Sequence, residues 1–224
     1  MSLNEEDRLA VEALPWRTQR LQRGATIVSR GDRPTNCFLV HSGFVIASKH
    51  IANGVEAVSG LFVPGDMPDL FGLYLDVMDT DMRAATDCTI ALVDHGAVKR
   101  VCSQYPKLNA AFWQQTLLAS AILREWVITV GHRSAHARLA HLFCEVMVRM
   151  TEVGLSSDFR CPFPFTQVAI SEISGMSIVH VNRSLQELRG AGLISFDGKE
   201  LEIRNWDGLK LVADFQDDYL HLSR

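Results

Sequence analysis

The stretch from residue 166 to residue 194 holds two short helical patterns separated by one tight turn. Thr166 precedes the first pattern and Ser177 precedes the second, and a hydroxyl at each position can cap a helix. Gly175 supplies the turn between them. Apolar residues recur at helical spacing along both patterns, namely Ile170, Ile173, Val181, Leu185 and Leu188. Two helices this close in sequence have to cross steeply over one core, which is typical of a helix-turn-helix.

The residues after this motif predict a β-hairpin. Residues 193–203 read as two short strands around Asp197-Gly198, a dipeptide that favours a two-residue hairpin turn. A helix-turn-helix followed by a hairpin is a winged helix.

Residues 166–194 resemble the DNA-binding motif of the Crp/Fnr family of bacterial transcription regulators. The matching positions are Thr166-Gln167, Gly175, Ser177, Val181, Arg183, Leu185, Leu188 and Gly192-Leu193-Ile194. Ser174 and Ser184 stand where the motif usually carries an apolar residue, so we expect slightly looser packing there. The resemblance implies that double-stranded DNA is the partner and that the outward face of the second helix reads bases.

The reading positions of this chain differ from those of many family members, which carry Arg-Glu directly after the capping serine. Ile178 and Val179 occupy those positions here and can favour only thymine methyl groups. Arg183 keeps the remaining charged position and is expected to contact guanine. The residues expected at the DNA are Thr166, Gln167, Ser177, Ile178, Val179, His180, Asn182 and Arg183.

Residues 21–98 change from a helical to an alternating pattern, broken by glycines at 24, 31, 43, 54, 60, 65 and 72. Many short strands at close spacing, with turn pairs such as Asn53-Gly54, predict a small barrel or roll. The order of these turns is similar to the jelly-roll sensor domain of the same family.

Residues 108–130 contain no glycine, proline or turn cluster and predict one long helix. Apolar side chains lie on two faces of this helix, and a lone helix in water could not keep both faces exposed. One face can pack on the roll, and Ala111, Leu118 and Ile122 are expected to pair with a second chain. Burial of both faces inside a monomer is the alternative, while the resemblance implies a homodimer.

The sequence therefore predicts an α+β protein with three parts. Residues 1–106 form a β-roll or jelly-roll sensor domain, residues 107–133 a long dimerisation helix with a hinge near Gly131, and residues 134–224 a winged helix-turn-helix domain. Family resemblance adds RNA polymerase as an implied partner. The predicted function is sequence-specific DNA binding by a homodimer on a palindromic site.

A cyclic nucleotide is the effector that the roll first suggests. In the resembling family a Gly-Glu pair binds the ribose, and an Arg followed by small residues binds the phosphate. The effector pocket maps here onto Asp69, Leu70, Arg83 and Ala84, so the ribose pair is lost and the arginine is kept. We expect nearby carboxylates (Asp69, Asp76, Asp79 and Asp81) to neutralise Arg83, so cyclic AMP is not predicted to bind. No cofactor is predicted.

Composition excludes several other classes. The net charge is −4, no apolar run is long enough to span a bilayer, and the charged N-terminus does not resemble a signal peptide, so a cytoplasmic protein is expected. The five cysteines at 37, 88, 102, 144 and 161 form no pair with metal-ligand spacing, and we interpret them as buried, reduced thiols. His132, His136 and His141 lack a further ligand at fixed spacing, so no metal site is predicted.

The net charge of the C-terminal part supports DNA binding less than the helix-turn-helix motif does. Residues 134–224 carry nine Lys or Arg against twelve Asp or Glu, a formal charge of −3, so affinity has to depend on a local patch of Arg183, Arg189 and Lys199. One alternative is a ligand-binding roll whose winged helix binds protein. Another is a cupin-like enzyme, but His41, His50 and His95 are isolated and no catalytic motif is present, so the chain is not expected to be an enzyme.

Overall fold

The computed structural model describes residues 3–51, 54 and 56–222, and Asn53 of the predicted Asn53-Gly54 turn lies outside them. A first helix, α1 (Glu5–Glu12), leads into a roll of two antiparallel sheets. The first sheet has the order β1-β7-β3, with β1 at Arg17–Leu21, β7 at Cys88–Asp94 and β3 at Asn36–Ser42. The second has the order β2-β6-β4-β5, with β2 at Thr26–Val28, β6 at Asp81–Ala84, β4 at Val45–His50 and β5 at Glu56–Phe62. The predicted roll is confirmed.

Apolar residues on the inner faces of the two sheets form the roll's core, with Phe38, Val40, Met82 and Ile90 almost fully buried. The turn between β3 and β4 depends on Gly43, whose φ is +77°. A Cβ at this position would collide with the backbone oxygen of Asp87. Glycine is therefore required there by both conformation and space.

Two helices follow the roll, α2 (His95–Gln104) and the long α3 (Pro106–His132). The chain turns at Arg133, and Ser134 caps α4 (Ala135–Glu152) by accepting from the backbone N–H of Ala137 at 3.2 Å. Gly131 lies inside the last turn of α3. The break between the two helices thus comes two residues after the glycine at which the sequence suggested a hinge.

The C-terminal part is a winged helix-turn-helix, as predicted. Its elements are β8 (Arg160–Pro162), α5 (Gln167–Ser174), α6 (Ile178–Gly190), β9 (Ile194–Phe196), β10 (Glu200–Ile203) and α7 (Trp206–Ala213). Phe196 pairs with Leu201, so four residues rather than two lie between the last paired residues of the hairpin. The Asp197 carboxylate accepts from the backbone N–H groups of Lys199 and Glu200 and holds this longer loop.

Two features of this part were not read from the sequence. A third strand, β8, pairs with β10 and extends the wing sheet. The last helix, α7, also ends at Ala213, because Asp214 after it adopts the left-handed conformation with a φ of 48°. Phe215 and Leu220 are still buried after the helix has ended.

The roll and the winged part share one hydrophobic core. Phe44, Ile46 and Leu61 of the roll belong to the same buried cluster as most of the apolar residues of α4, α5 and α6. The ring of Phe44 lies 5.0 Å from that of Phe165 and 6.1 Å from that of Phe163. The roll and the winged part, which the sequence pattern separates, are therefore packed directly against each other at these aromatic rings.

Candidate DNA-binding surface

The helix-turn-helix is built by the caps that the sequence predicted. Thr166 Oγ1 accepts from the N–H of Ala169 at 3.2 Å, and Ser177 Oγ accepts from the N–H of His180 at 3.3 Å. Gly175 between the helices has a φ of 62°, the left-handed conformation that ends α5. These contacts set the crossing of α5 and α6.

The buried side of α6 determines which residues face outward. Val181, Leu185 and Leu188 are fully buried, as their spacing predicted. Val179 is 73% exposed, and the side chain of Arg183 is 78% exposed. On the same exposed side lie Ser177, Ile178 and His180, while Asn182 is half-buried. Thr166 is exposed and Gln167 half-buried at the start of α5.

The two serines that depart from the family pattern are both buried. Ser174 donates to the carbonyl oxygen of Ile170 at 2.6 Å, so its hydroxyl is satisfied inside the helix. Ser184 is 3% exposed on the inner side of α6.

Arg183 is held by a residue that the sequence analysis did not single out. Its Nε donates to Glu187 Oε1 at 2.8 Å, one helical turn along α6. Glu187 Oε2 also lies 3.2 Å from His136 Nδ1 of α4. The Arg183 side chain, through its hydrogen bond, lowers the pKa of the Glu187 carboxyl. The i, i+4 spacing of Arg183 and Glu187 was a signal in the sequence that could have predicted this pair.

The basic patch near α6 is smaller than the sequence suggested. Arg189 donates to the backbone oxygen of Phe196, and its guanidinium lies 5.9 Å from the centre of the Phe196 ring. Arg189 thereby joins α6 to the wing. Arg183 and Arg189 are both exposed, but the contact of Arg189 with Phe196 holds it at the wing, so we expect affinity for an anionic partner to depend mainly on Arg183, Lys199 and helix N-termini.

Asp69 and Leu70, which the sequence placed in an effector pocket, are buried in the roll. Asp69 Oδ1 accepts from the N–H of Phe38 at 3.0 Å, and burial raises the pKa of Asp69 to about 7. Leu70 belongs to the apolar cluster beneath α2 and α3. Both side chains are therefore packed inside the protein.

Arg83, the other half of that predicted pocket, lies in a separate environment and is neutralised. Its Nε and Nη2 donate to the two carboxylate oxygens of Glu56 at 2.8 and 2.6 Å. Nη2 also lies 3.6 Å from Glu172 of α5. Ala84 beside it is fully buried. The arginine is paired as expected, but with Glu56 and Glu172 and not with the aspartates that are nearby in sequence.

The most exposed apolar residues of the long helix are not the three that were expected to pair. Ala111, Leu118 and Ile122 line a groove of about 750 Å³, whose other walls include Val63–Met67 of the roll and Arg149 of α4. The apolar residues of α3 that are exposed are Trp113, Leu117, Leu123, Val127, Ile128 and Val130. Ala111, Leu118 and Ile122 are half-buried, so their contact with a second chain stays a prediction, and the exposed stripe is a further apolar face of α3.

A buried ionic network joins four parts of the chain. Arg149 of α4 contacts Asp66 of the roll at 2.5 Å, Glu145 at 3.1 Å and the backbone oxygen of Leu61 at 2.9 Å. Glu145 also accepts from Trp126 Nε1 of α3 at 3.0 Å and from the hydroxyl of Tyr219 at 2.9 Å. Burial raises the pKa of Glu145, and the charge of Arg149 with these hydrogen bonds opposes that shift. Sequence reasoning missed this network.

His141 and four of the five cysteines are packed inside the protein. His141 is buried 3.3 Å from Glu125, and burial lowers its pKa to about 3. In the part of the chain that the structure describes, no group of three His, Cys, Asp or Glu residues is placed to hold a metal ion. All five cysteines are free thiols and four of them are buried, with burial raising the pKa of Cys144 and Cys161 to about 12. None of the described helices is both long enough and apolar enough to cross a bilayer.

Comparison with protein families matches both parts of the chain. A model of the Crp-like helix-turn-helix domain matches residues 137–212, and a model of the cyclic nucleotide-binding domain matches residues 18–105.

Relatives and solved structures agree with these matches. The chain is 22% identical over 214 residues to the transcriptional activator protein FnrA of Stutzerimonas stutzeri, covering 95% of this chain and 87% of that protein. It is 23% identical over 217 residues to the transcriptional activator protein anr of Pseudomonas aeruginosa, covering 95% and 86%. FixK2 from Bradyrhizobium japonicum has the same fold, with a TM-score of 0.77 at 20% identity over 89% of this chain and 98% of that one. A CooA mutant from Carboxydothermus hydrogenoformans gives a TM-score of 0.69 at 17% identity, covering 94% and 92%.

The roll, the long helix and the capped winged helix with its exposed α6 define a DNA-binding transcription regulator with an N-terminal sensor-type domain. The chain belongs to the Crp/Fnr family, whose members are transcription regulators and not enzymes. Its function is transcription regulation through sequence-specific binding of DNA.

Proposed function

We propose that the protein regulates transcription as a homodimer on a palindromic DNA site, with α6 of each chain in the major groove. The observation that carries this proposal is the division of α6 into a fully buried side and an exposed side that holds Val179 and Arg183. In such motifs the second helix contacts base edges, and the two helices of a dimer stand about one DNA turn, roughly 34 Å, apart. RNA polymerase is the further partner that family membership supports, and binding to chromosomal DNA would place the protein in the cytoplasm.

Different side chains of the helix-turn-helix would contact different parts of the DNA. Arg183 can leave Glu187 and donate two guanidinium N–H groups to O6 and N7 of a guanine. Ile178 and Val179 lack hydrogen-bonding groups and favour thymine methyl groups, with His180 and Asn182 as the polar contacts beside them. Ser177, Thr166 and Gln167 lie at helix N-termini, where backbone N–H groups attract phosphate.

Arg183→Ala is expected to remove the preference for one guanine in each half-site. A bidentate contact of this kind contributes about 1–3 kcal/mol of discrimination, so the guanine should fall to near-random frequency. The measurement is selection from random duplexes with the parent and the variant, followed by sequencing. Salt-sensitive, non-specific binding should persist, because phosphate contacts remain.

Arg204→Ala is the matched control for this selection, since it removes the same charge from an exposed residue at the end of β10. It should leave the selected motif unchanged. A motif that is the same for Arg183→Ala and for the parent would show that Arg183 does not read the base.

One exposed apolar surface supports association with a second copy of the chain. Leu117 and Val127 of α3 are 62% and 66% exposed, and together with Trp113 and Ile128 they follow one side of the helix. Tyr74 of the roll stacks on Trp113 at 5.8 Å and extends the apolar surface beyond the helix. A two-fold axis along this stripe would bury it and present two reading helices to a palindrome.

Cyclic AMP is not expected to bind, because Glu56 occupies the fork of Arg83 that would hold its phosphate. Calorimetry should show no heat of binding for the parent at micromolar cyclic AMP. Glu56→Ala, which removes the bidentate partner of Arg83 and leaves Glu172 beside it, is expected to increase any weak affinity for the nucleotide. Micromolar binding to the parent that disappears in Arg83→Ala would contradict this expectation.

A further inference from the structure

One guanidinium connects the C-terminal end of α3 to the turn of the helix-turn-helix. Arg138, in the first turns of α4, donates from Nη2 to the carbonyl oxygen of Val130 at 2.7 Å. Its Nη1 lies 3.3 Å from the carbonyl oxygen of Ser174 and 3.5 Å from that of Gly175. Three separate elements, α3, α4 and the turn after α5, therefore meet at this side chain.

The partners of Arg138 are groups that helices leave unsatisfied. The last four carbonyls of a helix have no intrahelical donor and carry the negative end of its dipole. Val130 is among the last four residues of α3, Ser174 is the last residue of α5, and Gly175 is its cap. Arg138 thus caps two helix C-termini at once, and its planar fork holds them at a fixed separation.

The geometry points to Arg138 as the positioning residue that fixes the reading head relative to the long helix and so determines the half-site spacing that the dimer accepts. This inference rests on the proposed dimer and its palindromic site. The chain between α3 and α4 is short. The side chain of Arg138 spans it and joins α3 directly to the turn between α5 and α6. Loss of the fork would let α5 and α6 tilt against α3, while the contacts of α6 with its own half-site remain.

The test is the dependence of binding on the distance between half-sites. One inserted base pair moves the second half-site by about 3.4 Å and turns it by about 34°, so a rigid dimer should bind at least about tenfold more weakly. For Arg138→Ala we expect a penalty of less than about threefold, which is well under the 1.4 kcal/mol of a tenfold change. Arg138→Lys keeps the charge but not the fork, and should also broaden the spacing profile.

Affinity for a duplex with one half-site separates positioning from loss of the reading head. The full-length parent, Arg138→Ala and Arg138→Lys should bind it equally, and Arg204→Ala should keep the parent's narrow spacing profile. A spacing profile as narrow in both Arg138 variants as in the parent would overturn the inference. So would an equal loss of affinity at every spacing and at the single half-site. A parent that is indifferent to spacing would instead count against the proposed dimer.

Discussion

Arg149→Met is expected to lower the free energy of unfolding by about 3–5 kcal/mol, the usual cost of removing one partner from a buried ion pair. The Glu145 side chain is 0% exposed and would keep its carboxylate without the cation beside it. Asp66 of the roll and the carbonyl of Leu61 would lose their partner as well. Urea unfolding followed by tryptophan fluorescence is the direct measurement, since Trp126 donates to Glu145.

A second variant separates the buried charge from lost packing. Replacing both residues, Glu145→Met together with Arg149→Met, removes the unpaired carboxylate and should recover part of the lost stability. Arg160→Met is the control, because it removes an arginine that pairs with Glu202 at the surface and should change stability by less than about 1 kcal/mol. An Arg149→Met protein as stable as the parent would show that the network does not stabilise the folded protein.

Leu117→Glu combined with Val127→Glu is expected to convert a dimer into a monomer. Each substitution places a carboxylate in the exposed stripe of α3, where a partner helix would remove it from water at a cost of several kcal/mol. Light scattering reports the oligomeric state. Affinity for the palindrome should fall by about 10²-fold or more, because the two half-sites would no longer be bound by one particle.

The control for this variant adds a carboxylate at another position of the helix. Gln114→Glu adds a carboxylate at an exposed position of α3 off the stripe and should remain dimeric. Leu118→Glu, in the groove that α3 forms with the rest of its own chain, is expected to lower stability more than association. A parent that is monomeric at micromolar concentration would contradict the proposal.

Association and folding are expected to be coupled in this chain. The roll shares its aromatic core with the winged part, and α3 contributes Trp126 to the buried network. An effector or a second chain that shifts α3 would therefore disturb contacts on both sides of it. Arg83 adds a second connection, since it lies between Glu56 of the roll and Glu172 of α5.

The fold class and the reading helix were predictable because they follow from local chemistry. Thr166 and Ser177 cap helices through their own hydroxyls, and Gly175 takes a conformation that glycine adopts without strain. The spacing of Val181, Leu185 and Leu188 sets the buried side of α6, so the exposure of Val179 and Arg183 follows without knowledge of the rest of the fold.

Only the tertiary structure decided which face of α3 stays exposed and which charges pair. Apolar residues surround α3, so their period does not choose a face, and packing against the roll and α4 leaves Leu118 half-buried and Leu117 62% exposed, although both line the same groove. Arg149 pairs with Asp66, which is 83 residues away in the sequence, and Arg83 of the roll pairs with Glu172 of the winged part. Such pairs depend on how distant elements dock, whereas caps and periodicity depend on neighbours within one or two helical turns.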